Sequence, residues 1–431
     1  MTVEGLMKVA SPFYNKFREL RANIQHRPPR VNVNRRSDAP DHVLIIIVDA
    51  LRPDQVPDID GFSTSEVITP GTWTYPAVTS IHSGEYPHEH GAVVHTNSED
   101  ETFATPEQAQ PEHTIPEIAE AAGYDTYGGF AFVQPFLATE TWYQTHRVFQ
   151  DSKASTVLED YRKWRTGREL TFGYVHLSDL HIPVNPPDEY IEKFNVNTDI
   201  YDLDGFGGYM DNYDPDDSEA VHFRKHRLRL SSAAFDYVTD CIQSLCDEIM
   251  SDTLITVTGD HGEALYEHPE VDRKFTDSRP NYGVGHGGTP FDKVARVPVA
   301  VSDDRICPIG GVGSHVDLAP TLANEIIGDN PFTKCEWQDE IPNDRIAICE
   351  ASRYGAERKA AYMEMNKIIC SKKDDVTLTG VVEHDGENFK PIPEEKREAL
   401  VESLPDFWDI SDSPVAENRL IEDQLKALGY K

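Results

Sequence analysis

A chain of 431 residues with 75 acidic and 40 basic side chains carries a formal charge of −35. That length can bury a large core and house an enzyme. A surface so strongly anionic excludes nucleic acid, and argues against anionic lipid, as a partner for the bulk of the protein. The carboxylates are interleaved with apolar periodic segments and form no separate tail, so they read as a solvating coat suited to high salt. Six cysteines, at 241, 246, 307, 335, 349 and 370, follow no C-x-x-C spacing and are sparse for a disulfide framework. The longest clear apolar run, Val43 to Val48, is of strand length and too short to span a bilayer. Reduced thiols without a leader or a span make the cytoplasm the expected location, with peripheral membrane contact as the variant to weigh.

The first 36 residues differ in sign from the rest: Lys8, Lys16, Arg18, Arg21, Arg27, Arg30, Arg35 and Arg36 face only Glu4 and Glu19. Phe13, Phe17, Leu20 and Ile24 recur at helical spacing, which predicts one basic amphipathic helix ended by Pro28 and Pro29. Such a helix either lies on an anionic membrane or packs its apolar stripe on the acidic body; the second is the commoner use of a short stripe. Residues 1–40 therefore read as a basic arm.

From residue 41 to about 330 the texture is that of an α/β domain with a large, mostly parallel sheet sandwiched by helices. Near-continuous apolar runs at His42–Val48, Thr171–Leu177, Thr253–Thr258 and Val297–Val301 are its candidate strands. A Gly-, Asp- and Tyr-rich stretch, Tyr201 to Ser218, reads as a surface loop or lid. Residues 331–431 read as a small α+β subdomain. Arg345–Cys349, Ala361–Ser371 and Val376–Val382 alternate as an antiparallel sheet would, and a helix is expected from about Pro414 to Leu428.

Ligands in open α/β sheets bind beyond the carboxyl ends of strands, and Asp49, Asp179, His181, Asp260 and His261 all stand at such ends. Thr74 precedes Pro76, a residue suited to a first helical turn, with Gly84 at the expected helix end. Alone, Thr74 is most simply a helix cap. A hydroxyl at a helix N-terminus is also well placed to attack an anionic ester, provided a metal lowers its pKa. Asp49, Asp260 and His261, with Thr74, offer a four-coordinate O/N set suited to zinc or manganese, whereas calcium prefers oxygen alone. Asp179, His181 and His286, the last flanked by glycines, form a second group. They either hold a second metal or, through His181 and His286, bind the transferred group and protonate its leaving oxygen.

Several segments resemble the sulfatase-like branch of the alkaline phosphatase superfamily. Ile45-Ile46-Ile47-Val48-Asp49 resembles its opening strand, and Thr74-Tyr75-Pro76 through Tyr86-Pro87-His88-Glu89-His90-Gly91 its nucleophile segment. His176-Leu177-Ser178-Asp179-Leu180-His181-Ile182-Pro183 is similar to its mid-chain histidine motif and Asp260-His261-Gly262-Glu263 to its metal motif. Arg296-Val297-Pro298, His315 through Thr321 and the ending Gln424 to Tyr430 follow in the same order. Sulfatases oxidise a Cys or Ser to formylglycine and keep an Arg downstream. Here Thr74 and Val78 occupy those positions, Ala50 replaces a second Asp, and His261 stands where Asn is usual. Threonine carries a methyl on its hydroxyl carbon and cannot yield that aldehyde.

The resemblance thus implies a Thr-nucleophile variant, haloarchaeal or similarly salt-adapted, that hydrolyses phosphate mono- or diesters of a small molecule, glycan or lipid through a covalent Thr74 intermediate. One or two divalent ions are implied, zinc or manganese before calcium. Sulfate-ester hydrolysis and transfer of a phospho-alcohol or sulfate group to a glycan or lipid are the alternatives within the enzymes. A non-catalytic binding protein that keeps the fold is the alternative outside them.

Overall fold

The computed structural model describes residues 15–92, 109–205, 217–276, 282–351, 353–354, 357–383 and 386–406. The expected helix from Pro414 and the family-like ending lie outside these residues, as does most of the Tyr201–Ser218 loop. Its first strand, β1 (His42–Val48), is seven residues long and buried along its whole length. Its side chains alternate between two cores. Val43, Ile45 and Ile47 join one; Leu44, Ile46 and Val48 join the other. A strand apolar at every position is what burial on both faces requires.

In chain order β2 (Ser63–Ile68), β3 (Asp125–Phe130), β4 (Thr145–Val148), β5 (Thr171–Leu177) and β6 (Thr253–Thr258) follow. A two-stranded ribbon, β7 (Ala264–Leu265) with β8 (Val284–Gly285), precedes β9 (Arg296–Val301) and β10 (Gly313–Ser314). Apart from the ribbon these strands form one sheet in the order β10-β2-β9-β6-β1-β5-β3-β4. β1 is parallel to both neighbours, β5 and β6, and only β9 runs antiparallel to the strands beside it.

The helices are α1 (residues 15–25), α2 (Thr74–Ser83), α3 (Pro87–His90), α4 (Ile115–Ala121), α5 (Val133–Ala138) and α6 (Ala154–Arg165). They continue with α7 (Asp188–Lys193), α8 (Ser218–Ile249), α9 (Pro269–Asp272), α10 (Asp292–Ala295), α11 (Leu318–Ile327) and α12 (Glu394–Glu402). Val78 and Ile81 of α2, Ile118 of α4 and Leu322 of α11 cover one face of the sheet. Val157 and Tyr161 of α6 and Leu230, Val238 and Ile242 of α8 cover the other.

A second, antiparallel sheet joins β11 (Ala347–Ala351), β12 (Arg358–Met363), β13 (Asn366–Ser371), β14 (Val376–Glu383) and β15 (Gly386–Phe389) in sequence order. The fold class expected from the sequence is therefore observed: a mixed, mostly parallel sheet between helices, with a small antiparallel sheet after it. The single segment expected over Ala361–Ser371 is instead two strands. The chain reverses at Glu364, whose φ of 52° is the left-handed turn conformation, so alternation runs on through a hairpin and hides the break.

The placement of α1 reverses the expectation for the basic arm. Ala22, Arg18, Glu19 and Asn15 are its buried residues, while Phe17, Leu20 and Ile24 are 63%, 57% and 75% exposed. The cause is the outer edge of β4. Asn23 Oδ1 accepts the backbone N–H of His146 at 2.7 Å and Glu19 Oε2 that of Val148 at 3.2 Å. Unpaired strand-edge donors need acceptors more than the sheet needs further apolar cover, so the polar side of α1 turns inward.

Replacing Ile46, fully buried at the centre of the sheet, by alanine should cost about 2–5 kcal/mol. Denaturant unfolding measures this, and a change below about 1 kcal/mol would contradict a tightly packed central strand.

Candidate active site

Strand register brings the site together. Ile47 of β1 lies opposite His176 of β5 on one side and Thr258 of β6 on the other. Aligned residues of parallel strands face the same way, as do residues two apart. His176 therefore shares a face with Asp49, two residues past Ile47, and with Asp260, two past Thr258. All three are fully buried, and one ligand atom from each lies within 4.8 Å of the others.

The turn after β6 is sewn down tightly. Gly262 N–H donates to the Val294 carbonyl at 2.8 Å, and the Thr69 hydroxyl donates to the Asp260 carbonyl at 2.5 Å. A Cβ on Gly262 would stand 2.1 Å from the Lys293 carbonyl oxygen, so only glycine lets the chain pass this close. The turn aims His261 inward. Its Nδ1–H donates to the Gly262 carbonyl at 2.9 Å, which leaves the Nε2 lone pair directed into the site.

Thr74 completes this group. Trp73 is the N-cap of α2 and Thr74 its first helical residue, with no side-chain cap bond. Its hydroxyl, freed from capping, donates to Asp49 Oδ2 at 3.3 Å and lies 3.4 Å from His261 Nε2. The hydroxyl thus points at the carboxylates, in the direction a nucleophile needs.

Around this point, His176 Nε2 is 3.2 Å from Asp49 Oδ2 and 3.8 Å from Asp260 Oδ2. His261 Nε2 is 3.5 Å from Asp49 Oδ1 and 3.6 Å from Asp260 Oδ2. Asp49 Oδ1 and Asp260 Oδ2 are buried without a hydrogen-bond partner. Burial opposes ionisation of Asp49, but His181, the hydrogen bond from His176 and His261 outweigh it and hold that carboxyl well below its ordinary range. Burial and the charge of Asp49 push Asp260 up to about 8. Two orphaned carboxylate oxygens facing an imidazole lone pair repel one another in a dry site unless a cation sits between them. Their separations suit donors sharing one ion at about 2.0–2.2 Å each. The residues present therefore fit a divalent metal.

Beside them stand two more histidines. The His286 ring centroid is 4.4 Å from that of His261 and 5.1 Å from that of His181. His286 Nδ1–H donates to Glu263 Oε2 at 2.6 Å and His181 Nδ1–H to the Ile182 carbonyl at 2.7 Å, so each keeps Nε2 for chemistry. Burial, and then the charges of His261, His181 and Arg353, lower the His286 pKa well below its ordinary value.

Asp179 does not join them. Its carboxylate accepts the Ala154 N–H at 3.0 and 3.3 Å, capping α6, and burial raises its pKa to about 6. A strand-end aspartate was expected to face the site. The helix that starts opposite it supplies orphan N–H groups that claim it instead.

Three contributors escaped the sequence reading. His176 lies inside an otherwise apolar buried strand, and an imidazole there is itself a signal of a polar site. Arg353 stands with its guanidinium 5.2 Å from the Trp73 ring centroid, next to the Gly287 backbone. Glu350 accepts from His88 Nδ1 at 2.6 Å and from Lys359 at 2.5 Å. Glu350 also ties down the loop before Thr74, since its carbonyl accepts from Thr72 N–H at 3.3 Å while the Thr72 carbonyl accepts from Gly287 N–H at 2.7 Å.

The family model described as Sulfatase matches residues 49–324. No match is found among curated proteins. Among solved structures, BT4656 in complex with its substrate D-glucosamine-2-N,6-O-disulfate aligns at 13% identity and TM-score 0.54, covering 91% of this chain and 99% of that one. The phosphonate monoester hydrolase SpPMH from Silicibacter pomeroyi aligns at 13% identity and TM-score 0.53, covering 90% and 95%. The lipoteichoic acid synthase LtaP from Listeria monocytogenes aligns at 14% identity and TM-score 0.51, covering 86% and 93%.

Asp49→Asn and Asp260→Asn should each lose bound divalent metal by about 10-fold or more, because one carboxylate cannot balance the ion. Elemental analysis after dialysis against a weak chelator tests this. Full metal retention by both variants would remove the carboxylate pair from the centre.

Proposed function

As the chain belongs to the sulfatase family, and is thereby an ester-acting hydrolase of the alkaline phosphatase superfamily, we propose that it cleaves phosphate esters through direct attack by Thr74. The observation that carries this reading is the hydroxyl of Thr74, freed from capping and held 3.3 Å from Asp49 and 3.4 Å from His261. Its chemistry excludes the aldehyde route, and phosphoryl transfer needs only an oxygen nucleophile and strong charge stabilisation.

Asp49, Asp260 and His261, with Thr74 itself, are the residues that would hold the metal, and His176 Nε2 would be a further donor to it in place of its hydrogen bond to Asp49. Two imidazoles among these donors favour zinc or manganese over calcium. When bound, such an ion lowers the pKa of a hydroxyl and polarises the ester. The chain's own groups do the rest. Asp49 Oδ2 accepts the Thr74 hydroxyl hydrogen bond, takes its proton as Oγ1 attacks phosphorus, and returns it to Oγ1 when water displaces the phosphate. The free N–H groups at the start of α2 receive the ester's anionic oxygens. His181, its ring held by the Ile182 carbonyl at Nδ1, gives a proton from Nε2 to the leaving oxygen as the phosphorus–oxygen bond breaks. Neutral His286, fixed by Glu263, takes a proton at Nε2 from the water that releases phosphothreonine.

Arg353 supplies positive charge at the rim. Val78 fills the place of the family's usual arginine, and the guanidinium stacked by Trp73 offers a substitute from the second sheet.

Thr74→Ala should reduce kcat/KM on the best phosphate ester by about 10³-fold or more, with Thr74→Ser retaining part of it. A panel of phosphate monoesters, diesters and sulfate esters provides the measurement, and turnover untouched by Thr74→Ala would end the proposal. A Thr74-dependent preference for sulfate esters would move the chemistry to the sulfatase reading. Arg353→Ala should raise KM about 10-fold with a smaller change in kcat; an effect confined to kcat would place Arg353 on the reacting atoms instead.

A further inference from the structure

Ten large apolar residues are exposed among those described, and three of them, Phe17, Leu20 and Ile24, lie in one eight-residue window of α1. The other seven are scattered from Val56 to Val401. Spacings of three and four place the three side chains in one stripe along the helix. Lys16 and Arg21 are exposed beside that stripe, and Arg27 is exposed just beyond the helix. Arg21 bonds Gln25 on the exposed side, and Lys16, itself exposed, pairs with Glu19 across the border to the buried side.

The stripe is not a loose end. Asn23 and Glu19 fasten the opposite side of α1 to β4, His26 Nε2 pairs with Glu120 at 2.8 Å, and Arg147 bonds Glu19 at 3.2 Å. The body therefore presents an ordered helix whose outer side is apolar and flanked by cations.

We propose that this face of α1 docks the protein on an anionic lipid bilayer, with Phe17, Leu20 and Ile24 in the headgroup–acyl boundary and Lys16, Arg21 and Arg27 against the phosphates. Charge complementarity selects this occupant. In a chain of net charge −35, the outer side of α1 sets the exposed Lys16 and Arg21, with Arg27 just beyond, beside an apolar stripe, a pairing that an anionic membrane attracts. Stripe-to-stripe pairing of two copies would oppose cation to cation, which disfavours a second copy as the occupant. Residues 407–431 follow α12, which packs on β12 and β13 of the second sheet. That sheet adjoins β2 and β10, at the edge of the large sheet opposite to β4. No helix among the described residues is long and apolar enough to cross a membrane, and α1 would lie on the surface, already folded when it arrives.

The test is flotation of the full-length protein with vesicles of phosphatidylcholine and of phosphatidylcholine mixed equally with phosphatidylglycerol, in the salt that keeps it folded. The wild type should float with the anionic vesicles, and Leu20→Asp/Ile24→Asp should partition about 10-fold less or weaker while melting like the wild type. Lys16→Glu/Arg21→Glu supplies a second variant that spares the apolar stripe, and it should lose most of the preference for phosphatidylglycerol. Failure of the wild type to float, or equal flotation of all three proteins, overturns the proposal. Flotation seen only after removal of residues 407–431 assigns the stripe to that segment. A wild-type dimer that Leu20→Asp/Ile24→Asp dissolves without lipid assigns it to a second copy.

Discussion

Two carboxylates and an imidazole lone pair converge in a place from which water is excluded, and the rest of the molecule is arranged around that unfavourable meeting. Asp49 and Asp260 stand side by side at the ends of neighbouring strands with one oxygen each unpaired. Taken alone, this would be a costly defect. Held by a rigid parallel sheet and balanced by a divalent ion, it becomes a point of intense, pre-oriented field into which a hydroxyl projects. The buried tyrosines and histidines beneath it, Tyr174 bonded to His176 at 2.8 Å among them, form a floor that keeps the donors from relaxing apart.

Much of this was legible before any coordinates. Runs such as His42–Val48 are apolar at every position because both faces are covered, and a charged residue that ends such a run has few uses apart from ligation or capping. That logic singled out Asp49, Asp260 and His261, which the fold brings together, and also Asp179, which caps α6 instead, because both uses look alike in sequence. Which strand end faces a helix N-terminus is a property of the packing. His176 escaped for a related reason: its role depends on register across three strands, and no single strand encodes register.

The basic arm shows a different limit. Helical spacing predicted α1 and its stripe correctly, and the assumption that apolar residues seek the interior then pointed the stripe the wrong way. Backbone donors on β4 had the stronger claim on the contact, and their demand is invisible in a pattern of side chains. Likewise the hairpin at Glu364 interrupts no alternation, so only its left-handed φ reveals it.

The bonds at Thr72 join three parts of the chain that have separate duties. Its N–H holds the end of β11, its carbonyl holds Gly287 beside His286, and two residues later comes Thr74. Arg353 lies two residues past β11, on the same continuous piece of backbone that Thr72 grips. Under the proposed function, a substrate that draws on Arg353 would also brace the stretch of chain that leads to Thr74, so that recognition of the distant part of a molecule and alignment of its scissile bond would be one mechanical event.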